Sequence, residues 1–432
     1  MLNLRATLAL LLLPCAASAA QLPPLVIPDG VGINIHFTRG HERDLDMIAD
    51  AGIKVVRMDL FWADTERLKG IYDWSAYDEL TASLLKRGIR PYFILGYSNP
   101  IYEGTTPKLW EDTWPYDELM SPQHPESIAA FARWAAAAAV HFRQVNPVLE
   151  IWNEPNIQFW KPAPDVAQYT RLAEFTCLAI HQAEPGATVV GPTTSKFPWG
   201  FLKAFFSTGM LGCLDAVSVH PYRGSFAAPE TAADDYARLR RLVDQYTPAA
   251  RKKSSVPIIS GEWGYSTTTN GTPLQMQADY LVRMQLFNLM NGIPISIMYD
   301  WVNDGSYGFN VEHNYGIVYP DLKPKPAYIA IRTLTHTLAG FHLTRRLPLD
   351  HPWDYALLFE NDAGQRIVAV WTLWSPHTVS LPFFAHAAMP TLVAGDGAIS
   401  AAGTRSGNIE LEFSSTPQFL RLDDTAATAK LH

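Results

Sequence analysis

The chain has 432 residues, 48% of them hydrophobic and 18% charged. That is enough apolar material for one large domain and a smaller one, and it excludes intrinsic disorder. The net charge of −8, spread along the chain, excludes the basic footprint of a nucleic-acid binder.

Residues 1–20 read as an export signal. Arg5 precedes a short apolar run from Leu8 to Leu13, and Ala17-Ser18-Ala19-Ala20 offers small residues for cleavage near Gln21. The run is shorter than the ~18 apolar residues of a membrane helix, and no later segment reaches that length. The expectation is a periplasmic or secreted monomer with no integral membrane segment once the signal is removed. Only Cys177 and Cys213 then remain. Export permits a disulfide between them. Two buried thiols is the plainer reading.

From about residue 31 to 338, strand-like and helix-like stretches alternate. The apolar, β-branched runs are 31–37, 54–62, 90–97, 148–153, 188–192, 216–222, 257–263 and 295–301. Helical patterns follow at 43–51, 77–87, 125–144, 165–184, 232–245, 275–291 and 326–339. Eight strands alternating with helices predict an α/β fold of the closed (β/α)8 type over residues 21–339. A doubly wound open sheet would need a glycine-rich loop after an early strand. Gly30-Val31-Gly32 opens its strand instead. After Gly340 the pattern changes to short strand-like runs at 356–360, 366–371, 378–382, 391–394 and 409–413. They predict a small antiparallel β-sandwich over 340–425, with a tail at 426–432. Residues 21–30 are expected to add an edge strand to it.

Two barrel strands run into carboxylates. Val148-Leu149-Glu150-Ile151-Trp152-Asn153-Glu154-Pro155 places Glu154 at the end of the fourth predicted strand. Ile258-Ile259-Ser260-Gly261-Glu262-Trp263 does the same for Glu262 on the seventh. Reactive groups of such barrels sit at the carboxyl ends of strands. These two strands face one another across the mouth. Two carboxyl groups on one bond are what glycosidic cleavage needs: a protonated one for the leaving oxygen, an ionised one for the sugar carbon. The neighbours assign the roles. Arg57 on the second strand, with His220 and Tyr222 at the end of the sixth, would keep Glu262 charged. Trp152 and Asn153 sit beside Glu154 in sequence and leave it the acid, and Asn153 is placed to grip a sugar 2-hydroxyl. Bland alternatives exist for each: a structural strand-end Glu, an Arg57–Asp59 ion pair, a core histidine at 220.

Asn153-Glu154-Pro155, Glu262, Arg57 and His220-x-Tyr222, on these strands in this order, resemble clan A retaining glycoside hydrolases. With the trailing sandwich, the chain is similar to glycoside hydrolase family 39, and within it to endoglycosidases of bacterial biofilm exopolysaccharide. The resemblance implies Glu154 as acid/base and Glu262 as nucleophile.

The rings suggest a cleft. Trp301 at the end of the eighth strand is expected to floor the cleavage point, and His36 ends the first. Trp160, Trp263, Trp110 and Trp114 are candidate stacking platforms, as are Tyr102, Tyr116, Phe159, Tyr307, Phe309, His313 and Tyr315 in the long loops. No metal or other cofactor is expected: His41-Glu42 lacks a second His, and no acidic cluster has calcium-loop spacing. The leading reading is an endo-acting hydrolase of a polysaccharide. Its rivals are an exo-acting β-glycosidase such as a xylosidase, a transglycosylase using the same machinery, and a non-catalytic polysaccharide-binding protein.

Overall fold

The structure is a computed structural model that describes residues 22–105, 119–251, 255–381, 390–405 and 408–422. Residues 1–21, and with them the expected export signal, and Trp110, Trp114 and Tyr116 lie outside the described residues. Strand β1 is Val26–Ile27. The barrel strands are β2 Val31–Asn34, β3 Val55–Phe61, β4 Arg90–Gly96, β5 Val148–Ile151, β6 Thr188–Val190, β7 Thr194–Ser195, β8 Val217–His220, β9 Ile258–Trp263 and β10 Ser296–Met298. The helices are α1 Glu42–Asp50, α2 Trp62–Thr65, α3 Ser75–Leu85, α4 Pro125–His141, α5 Val166–Ala183, α6 Trp199–Phe206, α7 Ala233–Tyr246, α8 Leu274–Met290 and α9 Pro326–Thr337. All eight predicted strands are present. The short pair β6 and β7 shares the fifth strand's place, and helix α6 follows it, a helix the sequence reading passed over.

The barrel strands pair in parallel in the order β6-β5-β4-β3-β2-β10-β9-β8-β7. A parallel bridge between Val190 of β6 and Ala216, just before β8, closes the ring. Side chains two apart on a strand share a face. Val55, Tyr92, Val148, Val190, Ala216, Ile259, Ile295 and Ile297 therefore meet as one apolar cluster inside the barrel floor. Above this floor the same alternation turns Arg57, Asp59, Glu150 and His220 inward. Residues of the opposite parity, such as Leu149, Ile151, Val217 and Val219, pack outward in the main core.

Beyond the barrel, β11 Phe341–Arg346, β12 Asp354–Glu360, β13 Arg366–Thr372, β14 His377–Leu381, β15 Thr391–Val393, β16 Ile399–Ala401, β17 Gly403–Arg405, β18 Asn408–Phe413 and β19 Gln418–Leu422 form two antiparallel sheets. The larger has the order β1-β11-β12-β13-β19-β15-β16. The expected edge strand is β1, paired to β11 through Val26–His342 and Ile27–Phe341. The smaller is β14-β18-β17. Between them lies a second apolar core that includes Leu358, Val370, Leu411 and Phe413. The sandwich docks on the barrel through Trp371, whose Nε1 donates to Glu230 Oε1 at 2.8 Å. Arg283 on α8 holds the same carboxylate at 2.9 and 2.7 Å. Among the described residues, no helix is long and apolar enough to cross a membrane.

Cys177 on α5 and Cys213 form a disulfide, so the reading as two thiols is corrected. Both sulfurs sit where α5 packs beside the turn leading into β8. The crosslink spans 36 residues, and closing such a loop restricts the unfolded chain by on the order of 2–4 kcal/mol. Replacing both cysteines by serine is expected to lower the urea unfolding midpoint accordingly. Reducing agent should move the wild-type midpoint the same way and leave the variant unmoved.

Candidate active site

The two glutamates reach the mouth by different local devices. Beyond β5 the chain leaves extended geometry at once. Trp152 has φ 67° and Glu154 φ 44°, a left-handed region that residues other than glycine seldom occupy. Strain of this kind is held only where surroundings over-determine it. Here Trp152 is buried at 1% exposure, its Nε1 donates to Phe159 O, and its ring packs against Tyr97 and Trp160. Glu262 is turned inward by a bulge. Ser260 pairs with Ser296 and Trp263 with Met298, so three steps on β9 face two on β10. An extra residue re-aims the side chains that follow it. Gly261 belongs to the same device: a Cβ there would stand 2.2 Å from Ser218 Oγ and 3.3 Å from His220 Nε2.

One oxygen of Glu154, one of Glu262 and a ring nitrogen of His220 lie within 4.8 Å of one another. Arg57 Nη1 donates to Glu262 Oε2 at 2.7 Å, and the Tyr222 hydroxyl donates to Glu262 Oε1 at 2.7 Å. Burial would raise the Glu262 carboxyl. The nearby His220 and Arg57 and the hydrogen bonds from Tyr222 and Arg57 outweigh it and hold the group below its ordinary value. His220 Nδ1 lies 2.8 Å from Glu154 Oε1 and 3.9 Å from Glu262. Its Nε2 lies 3.5 Å from Arg57 Nη2. The sequence reading grouped His220 with the partners of Glu262; its hydrogen bond is to Glu154.

Arg57 is buried at 1% exposure and does not pair with Asp59. It holds Glu150 through Nη2 at 2.6 Å and Nε at 3.4 Å. It also donates to Asn34 Oδ1 at 3.0 Å and Asn153 Oδ1 at 2.8 Å. The Tyr92 hydroxyl donates to Glu150 Oε2 at 2.6 Å. Glu150, Tyr92 and Asn34 were missed from sequence. The signal was a charge two residues beyond Val148 inside an apolar run, hence on the interior face. Asp59, two beyond Arg57, lines the cleft; burial raises its carboxyl, and its Oδ1 has no hydrogen-bond partner among the described residues.

The cleft above these groups has a volume of about 740 Å³. Its aromatic walls are Tyr97, Phe159, Tyr222, Tyr299 and Tyr315, and His36 and Glu312 stand at its edge. His36 Nε2 is 3.6 Å from Asp300. Burial opposes its charge, but Asp300, with Asp59 and Asp304, raises it to about 9.

The platforms expected of Trp160, Trp263 and Trp301 are not formed. Trp160, Trp263 and Trp301 are each at 0% exposure. Trp301 Nε1 donates to Asp44 on α1, and Trp160 Nε1 to Gln168 on α5. Trp263 packs toward Tyr265. Trp263 follows the inward Glu262 by one residue on β9, and the pleat sends it outward; Trp160 lies in the turn beyond β5 and Trp301 beyond β10. Tyr102 is likewise spent on structure, stacked on Trp62 and donating to Glu66. The floor expected of Trp301 falls to Tyr299 and Tyr315.

The sequence profile of glycosyl hydrolases family 39 matches residues 33–345. The chain belongs to that family. The family 39 chain is 22% identical over 197 residues to a beta-xylosidase of Caldicellulosiruptor saccharolyticus, a match covering 43% of this chain and 40% of that relative. Its fold is similar to that of a family 39 glycoside hydrolase from the gut symbiont Bacteroides cellulosilyticus WH2, with TM-score 0.79 and 23% identity over 94% of this chain and 83% of the other. A GH39 beta-xylosidase from Caulobacter crescentus aligns with TM-score 0.66 and 18% identity over 94% and 98%. A GH30 endoxylanase from Clostridium papyrosolvens C71 aligns with TM-score 0.65 and 9% identity over 94% and 99%.

Proposed function

We propose that this family 39 hydrolase is an exported, retaining, endo-acting enzyme that cleaves a polysaccharide, with a bacterial exopolysaccharide as the substrate. Glu154 is the acid/base and Glu262 the nucleophile. The observation that carries this reading is the approach of the two carboxylates to within 4.8 Å. Retaining enzymes keep their carboxyl groups about 5–5.5 Å apart, whereas inverting ones leave about 6.5–9.5 Å for a water.

Glu262, ionised by Arg57 and Tyr222, attacks the anomeric carbon and forms a glycosyl ester. Glu154 gives its proton to the leaving oxygen, the bond to the leaving sugar breaks, and His220 fixes the carboxyl by holding Oε1. Glu154, now a carboxylate, takes a proton from a water that attacks the same carbon and frees Glu262. Asn153 and His36 face the ring hydroxyls. The loop after β10 supports endo action. Beyond the cleft residues Glu312 and Tyr315 it exposes Tyr307 and Phe309, at 62% and 59%, with ring centroids 5.9 Å apart. Solvent-facing rings there extend the cleft to further sugar units.

Incubation with a panel of bacterial and plant polysaccharides tests the reading. Chain length should fall early, before monosaccharide accumulates, and the first product should keep its anomeric configuration by proton NMR. Release of single sugars alone would favour exo action, the activity class of the xylosidases similar to this chain. Changing Tyr307 and Phe309 together to Ala should raise KM for the polymer about tenfold, as expected from losing stacking of ~1 kcal/mol or more. An aryl glycoside should be turned over as before.

A further inference from the structure

We propose that Glu150 is a positioning residue for the nucleophile: by occupying one edge of the Arg57 fork from inside the barrel, it limits the grip of Arg57 on Glu262. The proposal rests on Glu262 being the nucleophile. Glu150 is fully buried, at 0% exposure, and does not line the cleft. It makes two contacts, on the Nε–Nη2 edge of Arg57, and leaves Nη1 alone to reach Glu262 at 2.7 Å. A guanidinium facing a single carboxylate prefers two parallel bonds. Such a clamp would cover both oxygens of Glu262 and draw down their basicity. The negative charge of Glu150 also offsets that of Arg57 where Glu262 senses it.

Stability gives no reason for this arrangement. A buried ion pair is often no better than apolar residues of the same volume, and the floor directly beneath is apolar. Tyr92 tunes the device, because its hydroxyl bond to Glu150 Oε2 draws charge away from Arg57. The other groups facing Glu262 are unchanged when Glu150 or Tyr92 is altered. They are His220 and Tyr222 from β8 and the turn after it, Glu154 from the end of β5, Asp59 from β3, Tyr97 after β4, and Tyr299, Glu312 and Tyr315 from β10 and its loop.

The two positions make opposite predictions for the Glu262 carboxyl. Glu150→Gln removes a negative charge and should lower its pKa, whereas Tyr92→Phe leaves Glu150 with its charge less satisfied and should raise it. The measurement is a carbon NMR titration of protein labelled at the glutamate carboxyl carbon, with the Glu262 resonance identified by its absence from Glu262→Gln. Shifts of about half a pH unit or more, opposed in sign, are expected. If Glu150→Gln does not fold, an upward shift in Tyr92→Phe alone still supports the role. An unmoved resonance, or shifts of the same sign, overturns it whatever happens to the melting temperature. Because no substrate is involved, this outcome is independent of the assignment of Glu262, which fails separately if Glu262→Gln retains turnover.

Discussion

Glu262→Gln is expected to lose roughly 10⁵–10⁶ in kcat, the scale on which removing a covalent nucleophile acts. Glu154→Gln should lose about 10²–10⁴, the usual contribution of general acid–base catalysis. Leaving groups separate the two further. An aryl glycoside whose leaving group needs no proton should restore the first step in Glu154→Gln, and the glycosyl ester should then accumulate. Glu262→Gln should gain nothing from it. Azide separates them by stereochemistry. In Glu154→Ala it attacks the ester and gives a glycosyl azide of retained configuration. In Glu262→Ala it attacks the sugar directly from the vacated side and gives the inverted product. Equal losses in both variants with no dependence on the leaving group would contradict the division of roles. The geometry behind the prediction is the pair of hydrogen bonds that hold Glu262, against the one from His220 that holds Glu154 among the described residues.

Arg57→Met should be the most damaging single change to stability. It leaves Glu150 and Glu262 buried without their common cation, and breaking a buried pair in this way costs about 3–5 kcal/mol. The loss should depend on pH. In the native protein Glu262 is held below its ordinary value. Its stabilising contribution is therefore present above the unfolded carboxylate pKa and is lost as pH falls through the depressed folded value. Without Arg57 the buried carboxyls rise instead, and their contribution runs the other way: greatest in acid, lost as pH increases through the raised values. The gap between wild type and Arg57→Met in urea unfolding should be small near pH 4 and wide at pH 7. A gap independent of pH would mean that Arg57 contributes only its packing. Turnover should fall with it, since the nucleophile then carries a proton at neutral pH.

What could be read from sequence was whatever a simple period carries. Strands with apolar, β-branched runs were visible, and so were carboxylates ending two of them, because a charge closing a buried run breaks its pattern. The tryptophans were misread because a strand end alternates faces. Trp263 neighbours an inward glutamate and must point outward, whereas Trp160 and Trp301 lie beyond strand ends, where no period carries the facing. The bulge in β9 that turns Glu262 inward leaves no mark in composition beyond Gly261. Glu150 was legible in principle, two residues past Val148 on the interior face, but its role exists only through Arg57, which is 93 residues away. The disulfide was equally invisible: two cysteines state no distance. Strands β11 and β19 were missed because polar and charged residues break up their short apolar runs, in Phe341-His342-Leu343-Thr344-Arg345-Arg346 and Gln418-Phe419-Leu420-Arg421-Leu422.

Strand β19 lies between β13 and β15 in the larger sheet of the sandwich, although of the strands described it is the last to leave the ribosome. An up-and-down order would put the newest strand at an edge. Here a chain interrupted before residue 418 lacks a central strand and leaves two unpaired edges, the kind of surface on which chains join one another. Strand β1, near the other end of the chain, waits in the same sheet for β11. Both early and late segments must thus be present before that sheet can close, which makes its completion a late event of biosynthesis and makes truncated copies recognisable by their open edges.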